Sequence, residues 1–229
     1  MPVLEAIDLR KAYRGPDGAT VPVLDVPAFA LEAGEQMALR GESGSGKTTL
    51  LHCLAGILAP DAGTVCVAGH DLAAGGEAWR DRVRGRHVGY VFQTFNLLQG
   101  LTALENVVLA QMLGAGVDRA RAEELLARVG LGDRVRYRPS QLSVGQQQRV
   151  AVARALANRP SVVLADEPTG NLDPVRAREA MALVREVCAE AGAALLVVSH
   201  SEDVLAGFTR VARLDEVNLA ARIPLQPIP

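Results

Sequence analysis

The chain has 229 residues, 49% hydrophobic, 22% charged and only 3% aromatic, with a formal net charge of −2. That length and apolar content are enough for one large core built from Leu, Val and Ala, or for one domain carrying an inserted lobe. The slightly acidic balance argues against a nucleic-acid partner, which would call for a basic excess or stripe.

Residues 3–9 and 23–31 read as short strands set off by Gly, Pro and Asp turns. Residues 36–40 form another strand, which enters Gly41-Glu-Ser-Gly-Ser-Gly-Lys-Thr48, and residues 48–58 read as the helix leaving it. The segment matches G-x-x-x-x-G-K-[ST], the loop whose backbone N–H groups surround a phosphate while its lysine and hydroxyl serve the β/γ-phosphates and Mg²⁺. Further strands at 64–67 and 88–92 complete an antiparallel portion early in the fold, and the arginines between Arg80 and Arg86 read as a solvated loop or helix face.

Between Gln93 and Pro139 the pattern turns helical. Thr102-Ala-Leu-Glu105 opens one helix as a capping box, and residues 119–129 form a second. In the stretch 142–157, Ser143 is an N-cap with Gln146 three residues on, and the helix runs until Pro160 stops it. With Gly145 in its first turn, that helix start offers unpaired N–H groups and the positive end of a dipole to an anion. Residues 161–165 and 193–198 are continuously apolar, as parallel strands covered on both faces should be. Asp166-Glu167 follows one and Ser199-His200 the other, so both pairs face the site that the phosphate loop defines.

Cys53, Cys66 and Cys188 show no C-x-x-C pair and are expected as small buried apolar residues of a reduced cytosolic protein. No apolar run approaches the ~18 residues of a membrane span, and the N-terminus lacks a leader pattern. A role at a membrane would need a partner that supplies the spanning helices.

Together these segments resemble the ATP-binding subunit of ATP-binding-cassette (ABC) transporters, over nearly the whole chain. Gly41–Thr48 is similar to the family's Walker A loop, Gln93 to its Q-loop glutamine, Leu142-Ser-Val-Gly-Gln146 to its signature, Val162-Val-Leu-Ala-Asp166 to its Walker B strand, Asn171-Leu-Asp173 to its D-loop and His200 to its switch histidine. The resemblance implies an α/β P-loop NTPase with a RecA-like core, an antiparallel β subdomain and an inserted helical subdomain. It implies one domain over 1–222, the helical part at about 94–158, and a tail at 223–229. ATP and Mg²⁺ are the implied cofactors. Nucleotide contacts are implied for Tyr13, Gly41, Glu42, Ser43, Gly44, Ser45, Gly46, Lys47, Thr48, Thr49, Ser143, Gly145, Gln146 and Asp173. Catalytic roles are implied for Lys47, Gln93, Glu167 and His200, with Thr48, Gln93 and Asp166 around Mg²⁺. His52, His70 and His87 have no motif context and read as structural.

The implied partners are a second copy, head to tail, whose signature closes the ATP site, and a transmembrane permease that holds the chain on the inner face of the cell membrane. Val144 departs from the commoner L-S-G-G-Q signature; because backbone N–H groups and the Ser143 hydroxyl do the gripping, a valine with helical backbone fits. Val91-Phe-Gln-Thr-Phe-Asn-Leu-Leu98 and Asp166-Glu-Pro-Thr-Gly-Asn-Leu-Asp173 resemble the lipoprotein-release and macrolide-export (LolD/MacB-like) group, although Asp215-Glu-Val-Asn218 stands where that group commonly has a glycine-containing hairpin. A soluble ATPase acting as an assembly clamp is the alternative. Phe95, Leu97, Leu98 and Leu101 form a dense apolar cluster after Gln93, suited either to a groove for a permease helix or to burial in the helical lobe.

Overall fold

The computed structural model describes residues 1–222 apart from Asp17, Ser43 and Asn171. The tail expected at 223–229 lies outside the described residues.

Strands β1 (Pro2–Arg14) and β2 (Thr20–Glu32) pair as a long antiparallel hairpin. Both outrun the short strands expected at 3–9 and 23–31. Their outer halves are mostly exposed or half-buried and carry Arg10, Lys11 and Arg14, so apolar alternation fades there while backbone pairing continues. With β4 (Ala62–Val67) and β5 (His70–Asp71) they make a four-stranded sheet ordered β2-β1-β4-β5.

The second sheet is parallel. It contains β3 (Gln36–Arg40), β6 (Val88–Val91), β7 (Val162–Asp166), β8 (Ala194–Ser199) and β9 (Arg210–Arg213), ordered β6-β7-β8-β3-β9. Strand β6, expected in the antiparallel portion, belongs here instead, because it pairs in parallel with β7. Every residue of β7 and β8 is buried, because side chains alternate between two apolar layers. Val163, Ala165, Leu195 and Val197 point into one layer; Val162, Leu164, Leu196 and Val198 point into the other.

The first layer is covered by α3 (Ala103–Met112), α4 (Arg119–Arg128), α5 (Val144–Ala155) and α6 (Pro174–Glu190). The second is shared by α1 (Lys47–Leu54) and the antiparallel sheet. Helix α3 starts on the expected box: Glu105 N–H donates to Thr102 Oγ1 at 3.2 Å and Thr102 N–H to the Glu105 carboxylate at 2.8 Å.

The helix expected over 48–58 stops at Leu54. Gly56, at φ +68°, turns the chain, its N–H bonding Cys53 O while Ile57 N–H bonds His52 O. That pair of bonds closes a helix end only where the turning residue tolerates a left-handed backbone. The arginine cluster lies on α2 (Glu77–His87), a helix whose only buried residue is Val83. Two short helices, α7 (Glu202–Leu205) and α8 (Leu214–Val217), flank β9. Cys53 and Cys188 are buried, and burial pushes their thiols up to about 11 and about 12. Cys66 departs from expectation: on a sheet-edge pair with Asp71 it is only half-buried.

Candidate active site

The carboxyl ends of β3, β7 and β8 and the segment after β6 meet at a cleft of about 340 Å³, lined by Tyr13, Val23, Gly44, Gly46, Lys47, Thr48, Thr49, Gln93, Asp166, Glu167 and His200. Residues far apart in sequence are gathered because adjacent parallel strands end together. Gly46 stands at φ +93°, and a Cβ there would lie 3.0 Å from Val23 O, so the loop can hug β2 only with glycine. Helix α1 begins at the next residue without a side-chain cap, an arrangement in which leading N–H groups receive an anion.

The side chains form a compact charged network. Lys47 Nζ donates to the carbonyls of Gly41 and Glu42, each at 2.8 Å, and lies 3.5 Å from Glu167 Oε1. Glu167 Oε1 is also 2.7 Å from His200 Nδ1, while Glu167 Oε2 accepts from Ser199 Oγ at 3.0 Å. Glu167 has φ +42°, a left-handed backbone that costs a non-glycine residue about 1–2 kcal/mol, and its N–H donates to Val198 O at 3.0 Å. The lysine and glutamate are buried, whereas the His200 side chain is 68% exposed toward the cleft mouth.

Asp166 is buried and its Oδ1 has no hydrogen-bond partner among the described residues. Burial pushes its carboxyl up, opposed by a hydrogen bond from Thr48; the adjacent Glu167 adds to the rise, and the electrostatic influence of His52 and Lys47 counters it. His52 therefore touches the site electrostatically while its ring packs 5.8 Å from Tyr90. The rings of His70 and His87 pack against each other at 5.0 Å, tilted by 44°, and neither lines the cleft. Ser199 stands at the site, as its place at the end of an apolar run predicts, although the sequence assigns it no role; Val23 is a site residue that motif reading missed. Neither belongs to a spaced motif, and each arrives through strand register.

Other expected residues lie elsewhere. Gly41, Glu42 and Ser45 line a neighbouring cleft of about 440 Å³ that shares His200, and Ser43 lies outside the described residues. Ser143, Gly145 and Gln146 begin α5, and Asp173 caps α6 through the Arg176 N–H; none lines the phosphate-loop cleft. The α5 start has the expected box, with Ser143 N–H donating to Gln146 Oε1 at 3.0 Å and Gln146 N–H to Ser143 Oγ at 3.3 Å. Val144 takes the first helical position with helical backbone and a 46% exposed side chain.

The apolar cluster after Gln93 divides. Phe95 and Leu97 are buried, Leu101 is half-buried, and Leu98 is 49% exposed, where it lines a groove of about 460 Å³ with Ile57, Phe92, Leu109 and Leu113. Arg154 fixes this segment to α5 by donating to the carbonyls of Phe95 and Asn96, each at 2.6 Å.

Residues 24–170 match the family described as ABC transporter. The chain is 44% identical over 222 residues to a lipoprotein-releasing system ATP-binding protein LolD of Chromohalobacter salexigens, covering 95% of this chain and 93% of that one. It is also 44% identical over 220 residues to a macrolide export ATP-binding/permease protein MacB of Rhodopirellula baltica, covering 93% of this chain and 32% of that longer one. Among solved structures, the ATP-binding cassette MJ0796, a dimer in a post-hydrolysis state bound to ADP and Pi, superposes with a TM-score of 0.82 at 34% identity, covering 92% of this chain and 93% of that one.

Proposed function

The chain belongs to the ABC transporter family as an ATP-hydrolysing subunit, and on that premise we propose how its residues divide the work. We take 1–222 as one ATPase domain with 94–158 inserted in it. In our reading the α1 N-terminus and Lys47 bind the β/γ-phosphates, with Lys47 exchanging the Gly41 and Glu42 carbonyls for phosphate oxygens. Tyr13, at the cleft edge and 45% exposed, stacks on the adenine.

Glu167 is the general base. It accepts the proton of the attacking water on Oε1, the O–H electron pair forms the new bond to the γ-phosphorus, and the bond to the bridging oxygen breaks with its electrons leaving on ADP. His200, 2.7 Å from the same oxygen, orients that water and the γ-phosphate. Thr48, Gln93 and Asp166 suit Mg²⁺: all offer oxygen donors, and the buried Asp166 Oδ1, which has no partner among the described residues, is the kind of atom a hard cation satisfies. Bound there with nucleotide, Mg²⁺ would neutralise charge on the phosphate oxygens.

Ser143, Gly145, Gln146 and Asp173 serve the ATP held by a second copy, arranged head to tail. The groove beside Leu98 receives a helix of the permease. No helix among the described residues is long and apolar enough to cross a membrane, so we place the chain on the cytoplasmic face, held by that permease. Relatives named as a lipoprotein-releasing subunit and a macrolide exporter favour this work over that of a soluble clamp.

The observation that carries the reading is the convergence of Lys47, Glu167 and His200 beside the phosphate loop. Lys47→Ala should lose tight ATP binding. Glu167→Gln should keep binding while turnover falls about 10²- to 10⁴-fold, since the amide keeps the shape but accepts no proton. Wild-type turnover in Glu167→Gln would overturn the base assignment.

A further inference from the structure

Glu167 reaches its position from a strained backbone, so what aims its carboxylate matters. The register of β7 on β8 pairs Asp166 with Val198, which brings the next residue on each strand, Glu167 and Ser199, together beyond the last pair. Ser199 is 1% exposed, and its Oγ lies 3.0 Å from Glu167 Oε2. The same Oγ accepts the Ser201 N–H at 3.1 Å. A serine hydroxyl has a single proton, and with Ser201 filling one acceptor direction that proton is directed to the carboxylate. Oε2 is thereby tied to β8, and Oε1, the oxygen near Lys47 and His200, faces the cleft.

We propose that Ser199 is a positioning residue for ATP hydrolysis: its hydroxyl holds one oxygen of Glu167 so that the other is presented to the attacking water. Ser199 does not line the phosphate-loop cleft and acts only through Glu167. This inference rests on Glu167 being the base. A hydrogen bond to a charged group is among the stronger ones, and misaiming a proton acceptor slows turnover without weakening ground-state binding.

The test is steady-state MgATP hydrolysis by the purified chain carrying Ser199→Ala, Ser199→Cys or Ser199→Thr, beside Glu167→Gln and the Ser199→Ala/Glu167→Gln double variant. Cysteine keeps the size with a weak donor, and threonine keeps the hydroxyl on a strand position that suits a β-branched side chain. We expect kcat to fall about tenfold in Ser199→Ala with KM for ATP within about twofold of wild type, an intermediate loss in Ser199→Cys, and recovery in Ser199→Thr. The double variant should be no slower than Glu167→Gln alone, because the serine has nothing left to aim. Equal kcat in wild type and Ser199→Ala, a loss confined to KM, or losses in the threonine and alanine variants of the same size would overturn the proposal. Wild-type turnover in Glu167→Gln would instead overturn the base assignment beneath it, whatever the serine variants do.

Discussion

Asp166 and Glu167 are adjacent buried carboxylates with opposite fates. Both oxygens of Glu167 have partners, whereas one oxygen of Asp166 has none among the described residues, and its carboxyl is pushed up by burial and by its neighbour. A carboxyl whose folded value is raised stabilises the fold only at low pH; that contribution is lost as pH rises through the raised value, so above it the ionised Asp166 weakens the nucleotide-free chain. Asp166→Asn should therefore raise the melting temperature of the nucleotide-free protein by about 2–4 °C, the equivalent of ~1 kcal/mol. The same variant should lose Mg²⁺-dependent hydrolysis. A melting temperature that falls would show that the charge is already satisfied without the cation. Residues such as Lys47, Glu167 and His200 were legible in the sequence because phosphate chemistry dictates their types at fixed places beside strand ends. The place of Ser199 was legible too but its role was not, because a hydroxyl gains its role only from the carboxylate that strand register sets against it.

Legibility at the level of elements followed how local the signal is. The box Thr102/Glu105 and the box Ser143/Gln146 are written within four residues, and the structure forms both. The fully apolar strands β7 and β8 were placed within a residue at each end. Helix α6 was not anticipated, and the arginine stretch of α2 left loop and helix face open; α2 buries a single residue and offers little apolar period to read. The cluster after Gln93 was legible as a group, yet only packing decides that Phe95 turns inward and Leu98 outward. Leu98→Glu should uncouple transport by the assembled transporter while leaving the ATPase of the isolated chain near wild type. An unfolded or inactive isolated chain would mean that Leu98 serves the lobe rather than a permease.

The junction of α2 and β6 carries a pH signature of its own. Burial lowers the His87 imidazole below its ordinary value, and neighbouring His70 and Arg86 push it the same way. The unfolded chain then binds this proton more readily, so stability is lost as pH falls below about 6.5 and levels off once the folded value is passed. Urea midpoints measured from pH 7.5 to 5 should drop less in His87→Gln than in wild type. Parallel curves would contradict the assignment.

Across the whole molecule, two sheets and a helical layer gather residues from distant segments at the phosphate-loop cleft and leave the start of α5 outside its lining. Lys47, Glu167 and His200 share the phosphate-loop cleft, while Ser143 and Gln146 begin a helix that contributes nothing to it. A γ-phosphate bound at α1 would supply the anion that a partner's α5 N-terminus needs, and its release would remove the attraction. Sedimentation of Glu167→Gln with and without MgATP tests this division most directly. The account predicts a monomer without nucleotide and a dimer with it; a mass that does not change when ATP is added would contradict it.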